Sequence, residues 1–264
     1  MMSQSYGVLW IRGGLGNQLF QIAALAYYCH KLDFIPLIYD GDLWISKRDN
    51  YYPQYRKLRL SKWFLMNRFP RSISKIEGMA LRKFMALTNK RFVFSRLDLD
   101  GISEQEELPK FFIIRDTFED DFFPKQLSLE SLKDTFHSIC EFKNFGVLNS
   151  QVGLFLRVEG YEPLTKSGLK RIRNLSEALY LDGFITLDVY SDTPSKLHPS
   201  LERILRQKIY WPEKDFRLDG PQLLRELTRY KLLITNGSSL SRWAKYLKSS
   251  DSPKSLKLIN VEQE

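Results

Sequence analysis

Three glycines within four positions, Gly13, Gly14 and Gly16, separate a short apolar run from a long helical one. No other stretch narrows the fold as much. Gly7–Ile11 is apolar and partly β-branched, the pattern of a strand buried on both faces of a parallel sheet. Glycine permits positive φ and leaves room for a ligand close to the backbone. Leu19, Ile22, Ala23, Ala26 and Tyr27 then recur at helical spacing. Asn17 and Gln18 open that helix, so their amides and the first-turn N–H groups are expected to face whatever occupies the crevice. A turn with no ligand fits the same residues. The third glycine of the dinucleotide fingerprint is missing, which argues against an NAD site. Ile35–Tyr39 reads as the next strand, completing a β-α-β unit.

The alternation restarts after Lys143–Ser150, a polar segment with Gly146 and two asparagines. Strands are predicted over Val152–Arg157, Phe184–Ser191, Leu232–Thr235 and Leu256–Val261. Helices are predicted over Leu169–Leu181, Ser200–Arg206, Pro221–Tyr230 and Leu240–Leu247, a succession that argues a second doubly wound unit. The expected class is α/β, with an N-terminal Rossmann-like domain over 1–146 and a C-terminal one over 147–264. A cleft between two such domains is a common ligand site. In the first half, Leu97–Pro109 reads as a loop and Lys110–Arg115 as a strand. Asp116–Phe123 reads either as a sugar-binding wall of acids and rings or, preferably, as a helix start with acids in its first turn. Ser128–Cys140 reads as a helix.

The chain has 264 residues and a formal charge of +9, and that charge is concentrated. Residues 47–96 hold 14 Lys or Arg against Asp49 and Glu77, so the rest of the chain is slightly acidic. Within this basic insertion Ile73, Ile76, Ala80, Phe84 and Leu87 share a helical face. It is either a packed helix with a solvated basic face or a surface that rests on an anionic membrane. No nucleic-acid motif accompanies the charge. No run is long and apolar enough to span a membrane, and no signal peptide is expected at the N-terminus. Two cysteines and no leader point to the cytoplasm, with peripheral contact at the inner membrane surface as an extension. Three scattered histidines, with no CxxC or HExxH, argue against a metal site.

Three further segments carry polar groups at predicted strand ends. Arg157 follows a strand, placed for bidentate phosphate contact, although a surface arginine fits equally. Ser191 and Asp192 end another strand; an Asp there can bond a ribose or a guanine edge, and Ser-Asp-Thr-Pro also suits a plain turn. Ser238, Ser239 and Ser241 surround a helix start, where hydroxyls, N–H groups and the helix dipole would converge on a phosphate. Alternatively, Ser238 is an ordinary N-cap.

GGLGNQLFQIAALAYY, from Gly13 to Tyr28, resembles the N-terminal signature of the α-1,2-fucosyltransferase family, the galactoside 2-α-L-fucosyltransferases. The three later segments are similar to that family's in order. Arg157 and Tyr161 match its H-x-R-R-G-D-Y pattern, while Phe155, Val158 and Gly160 depart from it. Leu187–Asp192 resembles its serine-aspartate segment. Ser238, Ser239, Ser241, Trp243, Ala244 and Leu247 match its serine-tryptophan segment, with Leu240 and Arg242 as departures. The resemblance implies the two-domain GT-B fold and metal-independent, inverting transfer of fucose from GDP-fucose to a galactose-type hydroxyl of a glycan. Arg157, Ser191, Asp192, Ser238, Ser239 and Ser241 would then form the donor site. Gly14, Gly16, Asn17 and Gln18 would line the acceptor side. Glu159 and Asp192 are chemically suited to be the general base, and the resemblance assigns neither. The alternatives are a degenerate relative that binds nucleotide or glycan without turnover, and a transferase using another nucleotide sugar.

Overall fold

The computed structural model describes residues 4–39, 75–87, 92–103, 107–127, 150–157, 165–191, 194–211, 220–251 and 256–261. The chain divides into two compact units, Met1–Ile139 and Cys140–Glu264. The boundary expected at 146/147 and the helix expected over Ser128–Cys140 lie outside the described residues, as does most of the basic insertion.

Unit 1 follows the order β1 (Tyr6–Trp10), α1 (Leu15–Leu32), β2 (Ile35–Tyr39), α2 (Lys75–Leu87), β3 (Val93–Phe94), α3 (Arg96–Gly101), β4 (Phe111–Ile114) and α4 (Phe122–Gln126). Its four strands form a parallel sheet ordered β2-β1-β4-β3. Val8, Leu9, Phe112, Ile113 and Ile114 are fully buried, as expected of central parallel strands. Gly7 is small for a packing reason: a Cβ there would lie 2.5 Å from the Phe34 ring and 2.9 Å from that of Phe112. These two rings meet edge to face at 5.1 Å.

Three local expectations change in this unit. The segment read as a loop from Leu97 contains α3, nucleated by a capping box in which Ser95 and Asp98 bond each other's backbone N–H. The acids of Asp116–Asp121 precede α4 and do not occupy its first turn. Asp116 accepts from the Arg96 N–H at 3.0 Å, and Asp120 pairs with the Arg96 guanidinium at 2.5 Å, so these carboxylates fasten α3 to the β4–α4 loop. In α2 the face turned inward is Gly78, Leu81 and part of Phe84, leaving Ile76 and Leu87 exposed. Gly78 sets that face: a Cβ there would fall 2.0 Å from the Tyr39 ring, so the helix can approach the sheet only along its glycine.

Unit 2 runs β5 (Val152–Leu156), α5 (Lys166–Leu181), β6 (Thr186–Ser191), α6 (Pro194–Ile204), β7 (Lys208–Tyr210), α7 (Gly220–Arg229), β8 (Leu232–Thr235), α8 (Ser239–Asp251) and β9 (Lys257–Asn260). The strands form a parallel sheet ordered β7-β6-β5-β8-β9. Every predicted strand and helix of this half is present, most with ends shifted by up to four residues; α6 begins six residues earlier than expected, at Pro194, and β7 is a strand the sequence reading did not include. Both units are therefore α/β and Rossmann-like. One face of the second sheet packs Val152, Leu154, Leu156, Leu187, Val189 and Ile234 against α5 and α6. Asp188 and Tyr190, on alternate positions of β6, face the other way. There the Tyr190 and Tyr230 hydroxyls lie 2.7 Å apart, and Tyr230 donates to Asp188 at 3.0 Å. Burial pushes both phenols well above the usual tyrosine range.

Candidate functional site

In an open α/β sheet, ligands bind at the carboxyl ends of strands, at the point where strand order reverses. In unit 2 that point lies between β5 and β8, and in unit 1 between β1 and β4. Three of the four family-like segments border these points, and the fourth, at Ser191, ends β6 beside β5.

In unit 2, Arg157 directly follows β5 and Asn236 directly follows β8. The Asn236 side chain accepts from the Arg157 backbone N–H at 3.1 Å and donates to its carbonyl at 2.6 Å. Two bonds from one planar amide fix the backbone that carries the guanidinium. Gly237 then turns the chain with φ +86°, a region that disfavours side chains, and a Cβ there would approach Asn260 to 2.7 Å. Sequence reasoning missed Asn236, although an Asn-Gly pair after an apolar strand signals a side-chain-supported turn.

The serine cluster differs in detail from the expectation of three converging hydroxyls. Ser238 is the N-cap, its Oγ accepting from the Ser241 N–H at 3.2 Å. Ser241 is fully buried; its hydroxyl donates to the Ser238 carbonyl at 2.7 Å and accepts from Thr235 at 3.1 Å. Both hydroxyls therefore hold the turn together. What the start of α8 presents to an anion is its first-turn amides and the dipole of a 13-residue helix, with Ser239 beside them. Ser191 is buried at the end of β6. Glu159, Tyr161 and Asp192 lie outside the described residues. Phe155, where the family pattern has histidine, is buried in β5.

Of the three glycines of the unit 1 turn, Gly13 alone adopts positive φ, at +83°. Gly14 is the N-cap of α1 and makes no side-chain capping bond. Gly16 is buried, and Asn17 is half-buried. Gln18 does not reach outward: it is fully buried and donates from Nε2 to the Gly13 carbonyl at 2.7 Å. Gln21, which sequence reasoning passed over, accepts from the Arg12 N–H at 3.0 Å and donates to the Arg12 carbonyl at 2.8 Å. The two glutamines thus pin the turn from inside. Their signal was legible as amides three residues apart, on the face of a helix that is otherwise apolar.

Among the described residues, no helix is long and apolar enough to cross a membrane, and no group of three or more His, Cys, Asp or Glu gathers as metal ligands.

No protein-family model matches the chain, and no curated protein does. Solved structures are similar to it. POFUT1 in complex with GDP-fucose shares 13% identity over 98% of each chain, with a TM-score of 0.48. A mutant of Arabidopsis thaliana FUT1 in complex with GDP shares 11% identity over 93% of this chain and 68% of that one, at 0.49. Fucosyltransferase NodZ from Bradyrhizobium shares 11% identity over 92% of each chain, at 0.44. At such identities and scores these likenesses transfer no residue role.

Proposed function

We propose that the protein is an inverting glycosyltransferase of GT-B type that moves fucose from GDP-fucose to a galactose-type hydroxyl of a glycan, in α-1,2 linkage and without a metal. One observation carries this reading: the four family-like segments, far apart in sequence, all fall at the carboxyl ends of parallel strands. Glycosyl transfer develops oxocarbenium character on the sugar and negative charge on the leaving diphosphate. In this proposal Arg157 and the amides at the start of α8 meet that charge, with Ser191, Ser239 and Asp192 on the nucleotide. Gly14, Gly16 and Asn17 serve the acceptor side, and Glu159 or Asp192 takes the acceptor proton. The domain division at 146/147 and a cytoplasmic location belong to the same proposal. So does peripheral contact of the basic insertion with anionic membrane, which salt-sensitive sedimentation with anionic liposomes tests.

The deciding experiment is thermal stabilisation by GDP, ADP and UDP, each with and without EDTA. GDP alone raising the melting temperature, unchanged by EDTA, is expected; no response to any nucleotide would refute the donor site. The departures at Phe155, Val158 and Gly160 favour one second reading, a relative that binds nucleotide without turnover. GDP binding with no transfer to any galactoside acceptor would establish it.

A further inference from the structure

The two units share a device. In each, an arginine follows the first strand, and one side-chain amide binds both its backbone N–H and its carbonyl: Asn236 for Arg157, Gln21 for Arg12. Such a clamp fixes the base from which a guanidinium is presented. Arg12 is half-buried, and its Nε is shut off from water without a hydrogen-bond partner among the described residues. A guanidinium N–H removed from water calls for an acceptor, and a charged one is the strongest.

The adjoining start of α1 has the same need. This 18-residue helix has neither a side-chain cap at Gly14 nor an acidic residue in its first turn, so its own first turn supplies no anion to the dipole. Beside it, Gln18 is fully buried and its Oε1 also lacks a partner among the described residues, although its Nε2 holds the Gly13 carbonyl. The segment from Arg12 to Gln18 therefore carries a cationic donor, first-turn amides and a buried acceptor without a partner among the described residues.

We infer that Arg12 and the first turn of α1 bind an oxyanion, carboxylate or phosphate, on a ligand that also carries hydroxyls. On the proposed function, which this inference deepens, the oxyanion comes either from an acidic sugar or sugar phosphate of the acceptor or from the diphosphate of the donor. The site itself stands on the geometry of unit 1 alone.

The test is calorimetric titration of the full chain at fixed low ionic strength with inorganic phosphate, a methyl glucuronide and GDP. Wild type is compared with Arg12→Gln and Arg12→Lys. The clamp acts on backbone atoms, so both variants are expected to fold, and near-ultraviolet circular dichroism checks this. Arg12→Gln is expected to weaken phosphate and glucuronide binding at least tenfold, with partial recovery in Arg12→Lys, which keeps the charge without the fork. GDP affinity that falls in parallel assigns the oxyanion to the donor; GDP affinity that holds assigns it to the acceptor. Wild type that binds phosphate but not GDP sinks the proposed donor and leaves this site standing. Arg12→Gln binding all three ligands as wild type does, or wild type binding none, overturns the inference.

Discussion

Replacing Gln21 by alanine removes both bonds that hold the Arg12 backbone, at 3.0 and 2.8 Å, from a side chain with no solvent exposure. Each bond contributes about 1 kcal/mol net. The lost buried methylene adds roughly 0.8 kcal/mol. The expected cost is about 3 kcal/mol. Unit 1 spans Met1–Ile139, so an unfolding entropy near 2.1 cal/mol/K per residue gives roughly 0.3 kcal/mol/K and a fall of about 10 °C in its melting temperature. Differential scanning calorimetry on the full chain measures this. If no transition moves by more than about 2 °C, the clamp does not stabilise the glycine turn and the reasoning fails. Gln21→Glu provides a second arm. At neutral pH an ionised carboxylate still accepts from the Arg12 N–H but has no proton for the Arg12 carbonyl. Protonation restores the donor. The folded-state pKa of that glutamate is therefore raised, and the lost stability should return as pH falls through it. A Gln21→Glu variant equally destabilised at every pH would contradict the assigned direction of the second bond.

Gly153→Ala should destabilise unit 2 by about 1–3 kcal/mol in calorimetry, because its Cβ would lie 2.9 Å from the Tyr230 ring, which two hydrogen bonds hold in place. Tyr190 and Tyr230, with phenols pushed up by burial, stay protonated in the fold while the unfolded chain titrates near 10. Their contribution is thus complete below about pH 10 and lost as pH rises above it; alkaline unfolding monitored by circular dichroism should be blunted in Tyr190→Phe. Asn236→Ala should weaken GDP binding at least tenfold in titration while leaving the secondary structure intact, since it frees the backbone beneath Arg157 without removing the guanidinium.

Long-range order was legible in the sequence because it rests on redundant signals. Four of the five strands of unit 2 are apolar runs bounded by turns and are placed by the sequence to within a few residues; the edge strand β7, Lys208–Tyr210, is three residues long and only partly buried, and carries no such run. The glycine turn was legible for the same reason, because helix and strand periodicities meet there. What sequence reasoning misread were places where one contact decides between equal patterns. The face of α2 was assigned from its apolar residues, yet the contact of Gly78 with Tyr39 turns Leu81 inward and leaves Ile76 and Leu87 outside. Three serines at the start of α8 looked like converging ligand groups, and two are spent on the turn itself.

The amides were undervalued in the opposite direction. Glutamine and asparagine read as polar side chains that seek solvent or substrate. Gln21 and Asn236 instead satisfy backbone groups exposed where a strand ends and before its helix begins, a debt that every open α/β turn must meet. A side-chain amide carries an NH2 donor group and a carbonyl acceptor on one rigid plane, which matches the carbonyl and N–H of a single residue. In both units the residue so held is an arginine. The glutamines of the string GGLGNQLFQ thus have a structural role in this fold, and similarity in the string alone does not separate such a role from a chemical one. Variants at Gln21 report on the scaffold, and variants at Arg12 and Arg157, whose clamps act on backbone atoms, test the proposed ligand contacts.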